Sequence, residues 1–587
     1  MRCNGTGDTG YGTRTMRASA ALLLVLLAAP LAADSSDDSS RDEFKRTFEK
    51  TLALKPGQKL RIEHSNGAIK IRTQREPQVS ISAVIRVSSS DVEGARKFSE
   101  QIQILVEETP AGVSVVTRYP EKHWNFTGRG FVSYSVDYDI VMPEAALLDA
   151  RNKFGNVDVT GLKASGDIKN SNGSISFRDG RGAQRFENSF GKIEVARNDG
   201  NATIVNSNGS VSVVDLGGEL DLVNRFGGVS VARVKGKSRI SNSNGGVELT
   251  GASAAADVTA SFGGVTARDI AGDLSARATN GSVDASNVQG DATLEASFGG
   301  IRFADVRRAV TCTGSNSRVT GARAGGTVHV RNSFGAVDIT EAAGVEIENS
   351  NGKVSVRGIR GGAILTTSFG ALDANDVKGN VTAVNSNAAV TLMDIGGSTD
   401  VRTQFGKVAL ARIGGRAKVS SENGGVSLTE IRGPAEVRTS FGLLDASHIQ
   451  GNLTAENSNG AIKASDIKGS VQARTSFGSV SIDGAQESVD VTNQNGSIEV
   501  AGLPSGCTRL TLRTSFAPVR VYVPEGSGYA VSARTSFGRI NTELPVGASG
   551  TVSGESLNGR IGDGRCELTV VNTNGNIDLL KGTGRRS

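Results

Sequence analysis

The residues of this 587-residue chain that could do chemistry are four histidines, a column of carboxylates, a column of arginines and one aromatic stretch. His64, His123, His329 and His448 are scattered, with no His-Glu motif, nucleophile elbow or phosphate-binding glycine loop. They read as structural or solvated. Asp215, Asp269, Asp305, Asp376, Asp394 and Asp466 recur at one corner of a repeat. Carboxylates on one face of a β-helix can act as acid and base on polysaccharides. At a recurring turn, however, Asp ordinarily accepts hydrogen bonds from turn amides. Arg233 and Arg412 stand in the same column, where a cation repels a metal, and the glycine-aspartate pattern of calcium-binding rolls is missing. No catalytic residue, metal or cofactor is therefore expected.

Two other groups could bind a partner. Arg331, Arg402, Arg438, Arg474, Arg513 and Arg534 each lie three residues before a repeated Phe, and three of them are spaced by 36. A row of guanidinium groups can grip an anionic glycan or envelope polymer. With Glu348 and Glu456 interleaved, the same row is also a solvated face. Tyr119, Trp124, Phe126, Phe131, Tyr134 and Tyr138 fall within 20 residues and include the single Trp. Such a cluster stacks on the apolar faces of sugars, or it caps a core.

The elements that position these residues follow from the repeat. Phe154, Asn172, Phe190, Asn208, Phe226, Asn244, Phe262, Asn280, Phe298, Asn316 and Phe334 are 18 apart, Asn351 follows after 17, and Phe369, Asn387, Phe405, Asn423, Phe441, Asn459, Phe477 and Asn495 return to 18. The spacing loosens through Phe516, Phe537, Asn558 and Asn574. Each unit carries two short alternating strands, one corner reading Asn-Ser-(Asn/Phe)-Gly and the other Asp-(Ile/Val)-x-Gly. The Phe/Asn positions form a structural corner ladder. Glycine supplies the positive φ a corner requires.

Strand pairs of this size cannot bury their apolar face alone, so the units must stack. The expectation is an all-β fold: a long parallel β-solenoid, right-handed by the rule for parallel connections. A coil holds either 18 or 36 residues, and Val, Ala, Ile and Leu fill a thin 18-residue interior better. At about 4.8 Å per coil, 24 corners make a rod of about 115 Å.

Residues 1–33 read as a secretory signal, with Met16 as an alternative start, and 34–44 as a polar linker. Residues 45–150 form a β-rich cap containing one short helix, starting at Ser90-Asp91-Val92-Glu93 and running to about Ile104, and 151–587 form the solenoid. Nothing in the mature chain spans a membrane. Without the leader's Arg2, Arg14, Arg17 and Asp8, 62 basic and 59 acidic residues remain, a balance that gives no signal for nucleic acid. With Cys3 in the leader, Cys312, Cys507 and Cys566 are odd in number and lack metal spacing. They read as three unrelated solenoid positions, with one disulfide as the alternative.

The Ser-Asn-Gly and Ser-Phe-Gly corners followed by Val-x-Val, the Val141-Met-Pro143 step and the Tyr522–Tyr529 insertion resemble bacterial adhesin-type families with β-strand repeats, close in style to the head GIN adhesin domain. The resemblance covers roughly Phe44 to Leu580. It implies an exported or surface-associated solenoid with no catalytic residues to carry over. The function expected is that of an exported envelope or surface protein (periplasm, cell surface or extracellular). It would act as an adhesin or scaffold that binds an envelope or extracellular glycan or polyanion through repeated weak contacts. The alternatives are a polysaccharide-active β-helix enzyme and an envelope-stress sensor.

Overall fold

The computed structural model describes residues 42–89, 91–120 and 132–584. They form a parallel β-solenoid of about 21 turns with a single helix. The coil is 18 residues long. Ile168 pairs with Phe186 and Phe186 with Ile204 in one sheet, while Ile175 pairs with Ile193 and Ile193 with Val211 in the other. Every second strand in sequence therefore joins the same sheet, and Phe and Asn alternate up one edge. At about 4.8 Å per turn the stack is about 100 Å long.

Strand alternation explains the core. In Leu220–Phe226, Leu220, Leu222 and Asn224 are buried and the residues between them are exposed. Inward positions are mostly Val, Ile, Leu and Ala, so two sheets close face to face without large side chains. At one buried ring a glycine one rung away makes room. Phe303 is buried beside Gly321, where a Cβ would lie 2.0 Å from its ring.

The N-terminal region is built from β1 (Asp42–Ala53), β2 (Lys59–Glu63), β3 (Ile69–Gln74), β4 (Gln78–Ser89), α1 (Val92–Gln101), β5 (Gln103–Thr109), β6 (Gly112–Arg118) and β7 (Ser133–Pro143). The Asp91 carboxylate accepts from the Gly94 amide at 2.9 Å and starts α1, as its residue type predicts. Arg46 donates to the Ser99 and Ile102 carbonyls at the helix end, at 2.8 and 2.6 Å. The expected helix reached Ile104, but the chain turns at Ile102 and enters β5, which pairs antiparallel with β6.

One rung is threaded out of chain order at each end. β2 lies parallel between β6 and Leu147–Phe154, and β3 lies between β7 and Val157–Thr160. The corner at Asn66-Gly67 thus stacks directly under Phe154. At the other end, Cys566–Asn572 inserts between Arg509–Thr514 and Tyr529–Arg534, and Ile577–Lys581 inserts between Val519–Val523 and Ile540–Thr542. Asn558 consequently sits in a strand, paired antiparallel to Ser532, and not at a corner.

That insertion corrects the cysteine reading. Cys507 and Cys566 form a disulfide across 59 residues, with Cα atoms 5.3 Å apart. Cys312 is buried in the core, and burial pushes its thiol pKa far up.

Candidate functional site: an outward row of phenylalanines

The Asn-Ser-X-Gly corner divides its work among four positions. Its first Asn points inward and forms a buried polar column. Asn206 donates to the Gly209 carbonyl at 2.9 Å and to Asn224 Oδ1 at 3.1 Å, and Asn224 passes the pattern on to Asn242 at 3.2 Å. These amides satisfy carbonyls that the bend turns away from the ladders. The Gly takes φ between 100° and 153° at most corners, directly over the Gly of the rung below. Position X is left at the apex of the bend.

At that apex the rings face solvent. All twelve Phe of the column are exposed, from 50% at Phe405 to 78% at Phe537. The column lies where the repeat predicts, with half or more of each residue in solvent. The rings do not brace one another. Register places Phe190 over Asn172 and under Asn208, so successive rings are two rungs, about 9.6 Å, apart. Ring–ring contact needs centroids within about 7 Å. On Asn rungs the side chain folds back, as Asn280 and Asn459 show by donating to the Ser261 and Ser440 carbonyls at 3.3 Å. The edge is thus a toothed row, one ring every second rung. Exposed Val223 and Leu443 widen it beside Phe226 and Phe441.

The arginine column runs beside this row and is largely neutralised. Arg331 pairs with Glu348 at 3.3 Å, Arg402 with Asp400 at 3.0 Å, and Arg438 with Glu456 at 3.0 Å. Arg474 reaches Glu456 at 3.8 Å and Arg513 reaches Asp490 at 4.0 Å. Arg534 has no ion pair among the described residues. The guanidinium groups share one face, but carboxylates interleave with them as Glu348 and Glu456 suggested.

The second corner departs from the turn chemistry expected of it. Asp215, Asp269, Asp305, Asp376, Asp394 and Asp466 occupy it together with Arg197, Arg233, Arg323, Arg412, Glu430 and His448, all with φ between 51° and 60°. Side chains here bridge rungs. Arg233 grips Asp215 at 2.5 and 3.0 Å, and Arg412 grips Asp394 at 2.5 and 2.9 Å. Hydrogen bonding from the guanidinium, reinforced by its charge, holds both carboxyls below the ordinary range. The turn-amide acceptors lie four residues further on: Asp273 accepts from the Asp291 amide at 2.9 Å, and Asn452 from the Ser470 amide at 3.0 Å. Acids thus meet bases as repeated rung-to-rung pairs, and these pairs recur along the stack.

The aromatic stretch divides. Tyr138 is buried, and Tyr119 and Tyr134 are half-buried with ring centroids 5.2 Å apart. Trp124, Phe126 and Phe131 lie outside the described residues, as does His123. Tyr138 Oη contacts Thr117 Oγ1 at 2.6 Å, and Thr117 Oγ1 contacts His64 Nδ1 at 3.0 Å. Burial lowers the His64 pKa to about 4, against the upward pull of the Val136 and Asn66 backbone and of Asp137.

Because the ordinary His value is 6.5, the unfolded chain binds a proton between pH 6.5 and 4 that the folded cap refuses. Cap stability is therefore full above pH 6.5 and is lost as pH falls toward 4, by at most about 3 kcal/mol. Urea unfolding followed by circular dichroism should show this decline, and His64→Gln should flatten it. An unchanged acid limb in that variant would assign the decline to other groups.

The class that this geometry defines is a two-sheet parallel β-solenoid with an apolar toothed edge. No protein-family model and no curated protein sequence matches the chain. Among solved structures, a "putative cell adhesion protein" from Clostridium sporogenes aligns with 38% of this chain and 99% of its own length, at 10% identity and a TM-score of 0.15. At that level the likeness carries no argument about function. No helix among the described residues is long and apolar enough to cross a membrane.

Proposed function

We propose that this chain is a non-enzymatic, exported envelope or surface protein of the adhesin or scaffold type. It holds an extended partner through many weak, equivalent contacts. The observation that carries this reading is the row of twelve outward phenylalanines, repeated in register along the stack. Rings held half or more in solvent at fixed intervals cost solubility, and a role outside the molecule accounts for them. Contacts of that kind gain strength by multiplicity, since each engaged site raises the effective concentration of the next.

Two further features support the reading. The Cys507–Cys566 disulfide suits an oxidising compartment. The rung-to-rung Asp–Arg pairs leave those carboxylates engaged with cations, which disfavours an acid–base role for them.

The test is retention of the chain from residue 34 onward on immobilised envelope polymers, with a reducing-sugar assay run in parallel. Salt-tolerant retention that weakens as the immobilised polymer is shortened is the expected result. The triple variant Arg402→Ala, Arg438→Ala, Arg474→Ala should lose little, because those cations already have carboxylate partners. Release of reducing ends would overturn the non-enzymatic assignment, and failure to hold any polymer would overturn the binding role.

A further inference from the structure

We propose that the phenylalanine edge binds a flat β-1,4-linked polysaccharide lengthwise, one ring beneath each disaccharide. This rests on the polymer-binding reading above and names its ligand class.

Three features of the edge point to this occupant. The first is period. One ring every second rung gives a repeat of about 9.6 Å along the edge. In a β-1,4-linked chain alternate sugars are flipped, the polymer is a ribbon, and its disaccharide repeat is close to that length. Every ring then meets the same apolar sugar face.

The second feature is hydrogen bonding. Beside the rings runs a line of partly or fully exposed hydroxyls, among them Ser189, Ser261, Ser297, Ser333, Ser440 and Ser476. Between the rings, Asn280, Asn459 and Asn495 each spend an amide hydrogen on a carbonyl of the rung below, and their Oδ1 atoms accept from no donor among the described residues. Hydroxyl donors and acceptors flanking each ring are what a polyhydroxylated ribbon can use. A second protein copy would gain less, since serine is depleted from protein interfaces and a tooth inserted between rings would land on the Asn amide.

The third feature is the lack of net charge beside the row. Five of the six neighbouring arginines lie within 4.0 Å of a carboxylate, which suits a neutral polymer better than an anionic one.

The experiment is pull-down of the chain from residue 34 onward with microcrystalline cellulose and with chitin, using starch granules as the α-linked control. Retention on a β-linked polymer and not on starch is expected. Phe441 and Phe477 are 52% and 62% exposed, so Phe441→Ala with Phe477→Ala should leave the far-ultraviolet spectrum and thermal midpoint unchanged. Retention should fall about tenfold or more, from two lost aromatic contacts. A phase variant, Phe441→Asn with Asn459→Phe, keeps composition but breaks the two-rung spacing, and it should bind as weakly.

Full retention by the ring variants would overturn the assignment while leaving multivalent polymer binding standing. Equal retention on starch would overturn it too. A wild-type dimer in sedimentation velocity that the ring variants split would give the edge to a second copy. Loss of retention on every envelope polymer, with wild type as with variants, would remove both this assignment and the function it rests on.

Discussion

Gly209→Val should destabilise the solenoid by at least about 3 kcal/mol, whereas Gly228→Ala, one rung away, should be nearly silent. At Gly209 the backbone has φ of +141°, and an added Cβ would lie 2.2 Å from the Gly191 carbonyl oxygen and 2.5 Å from its carbon. Both atoms belong to the rung below, so the overlap is relieved only by separating rungs. Separation would break the bond from the Gly191 amide to the Asn208 carbonyl, 2.7 Å long. Gly228 has nothing within 4 Å of the same imagined atom and no positive φ. Denaturant unfolding and limited proteolysis around residues 190–227 measure the contrast. Because each rung touches only its neighbours, the valine should open the stack locally first. Equal effects from the two variants would show that corner contact between glycines is not what holds the rungs.

Reduction of Cys507–Cys566, or the Cys566→Ser variant, should cost about 4 kcal/mol, from closure of a loop of about 60 residues. The loss should fall on the C-terminal end. The strands Cys566–Asn572 and Ile577–Lys581 each sit between two others, so releasing them uncovers strand edges on both sides. Hydrogen exchange with and without reductant should show faster exchange from about residue 509 onward and unchanged protection through the middle rungs. A uniform change along the chain would mean that the bond acts on global stability.

Much of this architecture was legible because stacking makes equivalent residues neighbours. The 18-residue spacing was therefore the strand register itself, and the Asn-Ser-X-Gly corners were turns. What escaped was anything that breaks either regularity. Cys507 and Cys566 are separated by 59 residues, which is no multiple of 18, because the last rung enters the stack out of order. The strand β5 was hidden behind α1 because its residues continue the helix's polar-apolar mixture. The repeat put Arg233 and Arg412 in the Asp column, but their φ of 56° had no signal, since arginine is not a turn residue, and neither did their grip on the Asp one rung below.

The outward turn of the phenylalanines had a signal that frequency alone concealed. A column that takes Asn on one rung and Phe on the next suits a surface, because no core position accepts both. Conversely, the Asn two residues earlier looked like part of a turn and is a buried column.

The two threaded ends also constrain how such a chain changes length. Each threaded rung pairs with neighbours from elsewhere in the sequence, so a rung gained or lost without disturbing these pairings lies inside the array. A gain of one rung would put two rings or two asparagines in succession at the edge and throw the rest out of step. Relatives that keep the edge should therefore differ in length by pairs of rungs, in steps of 36 residues, and the protein has in effect a ruler that counts in twos.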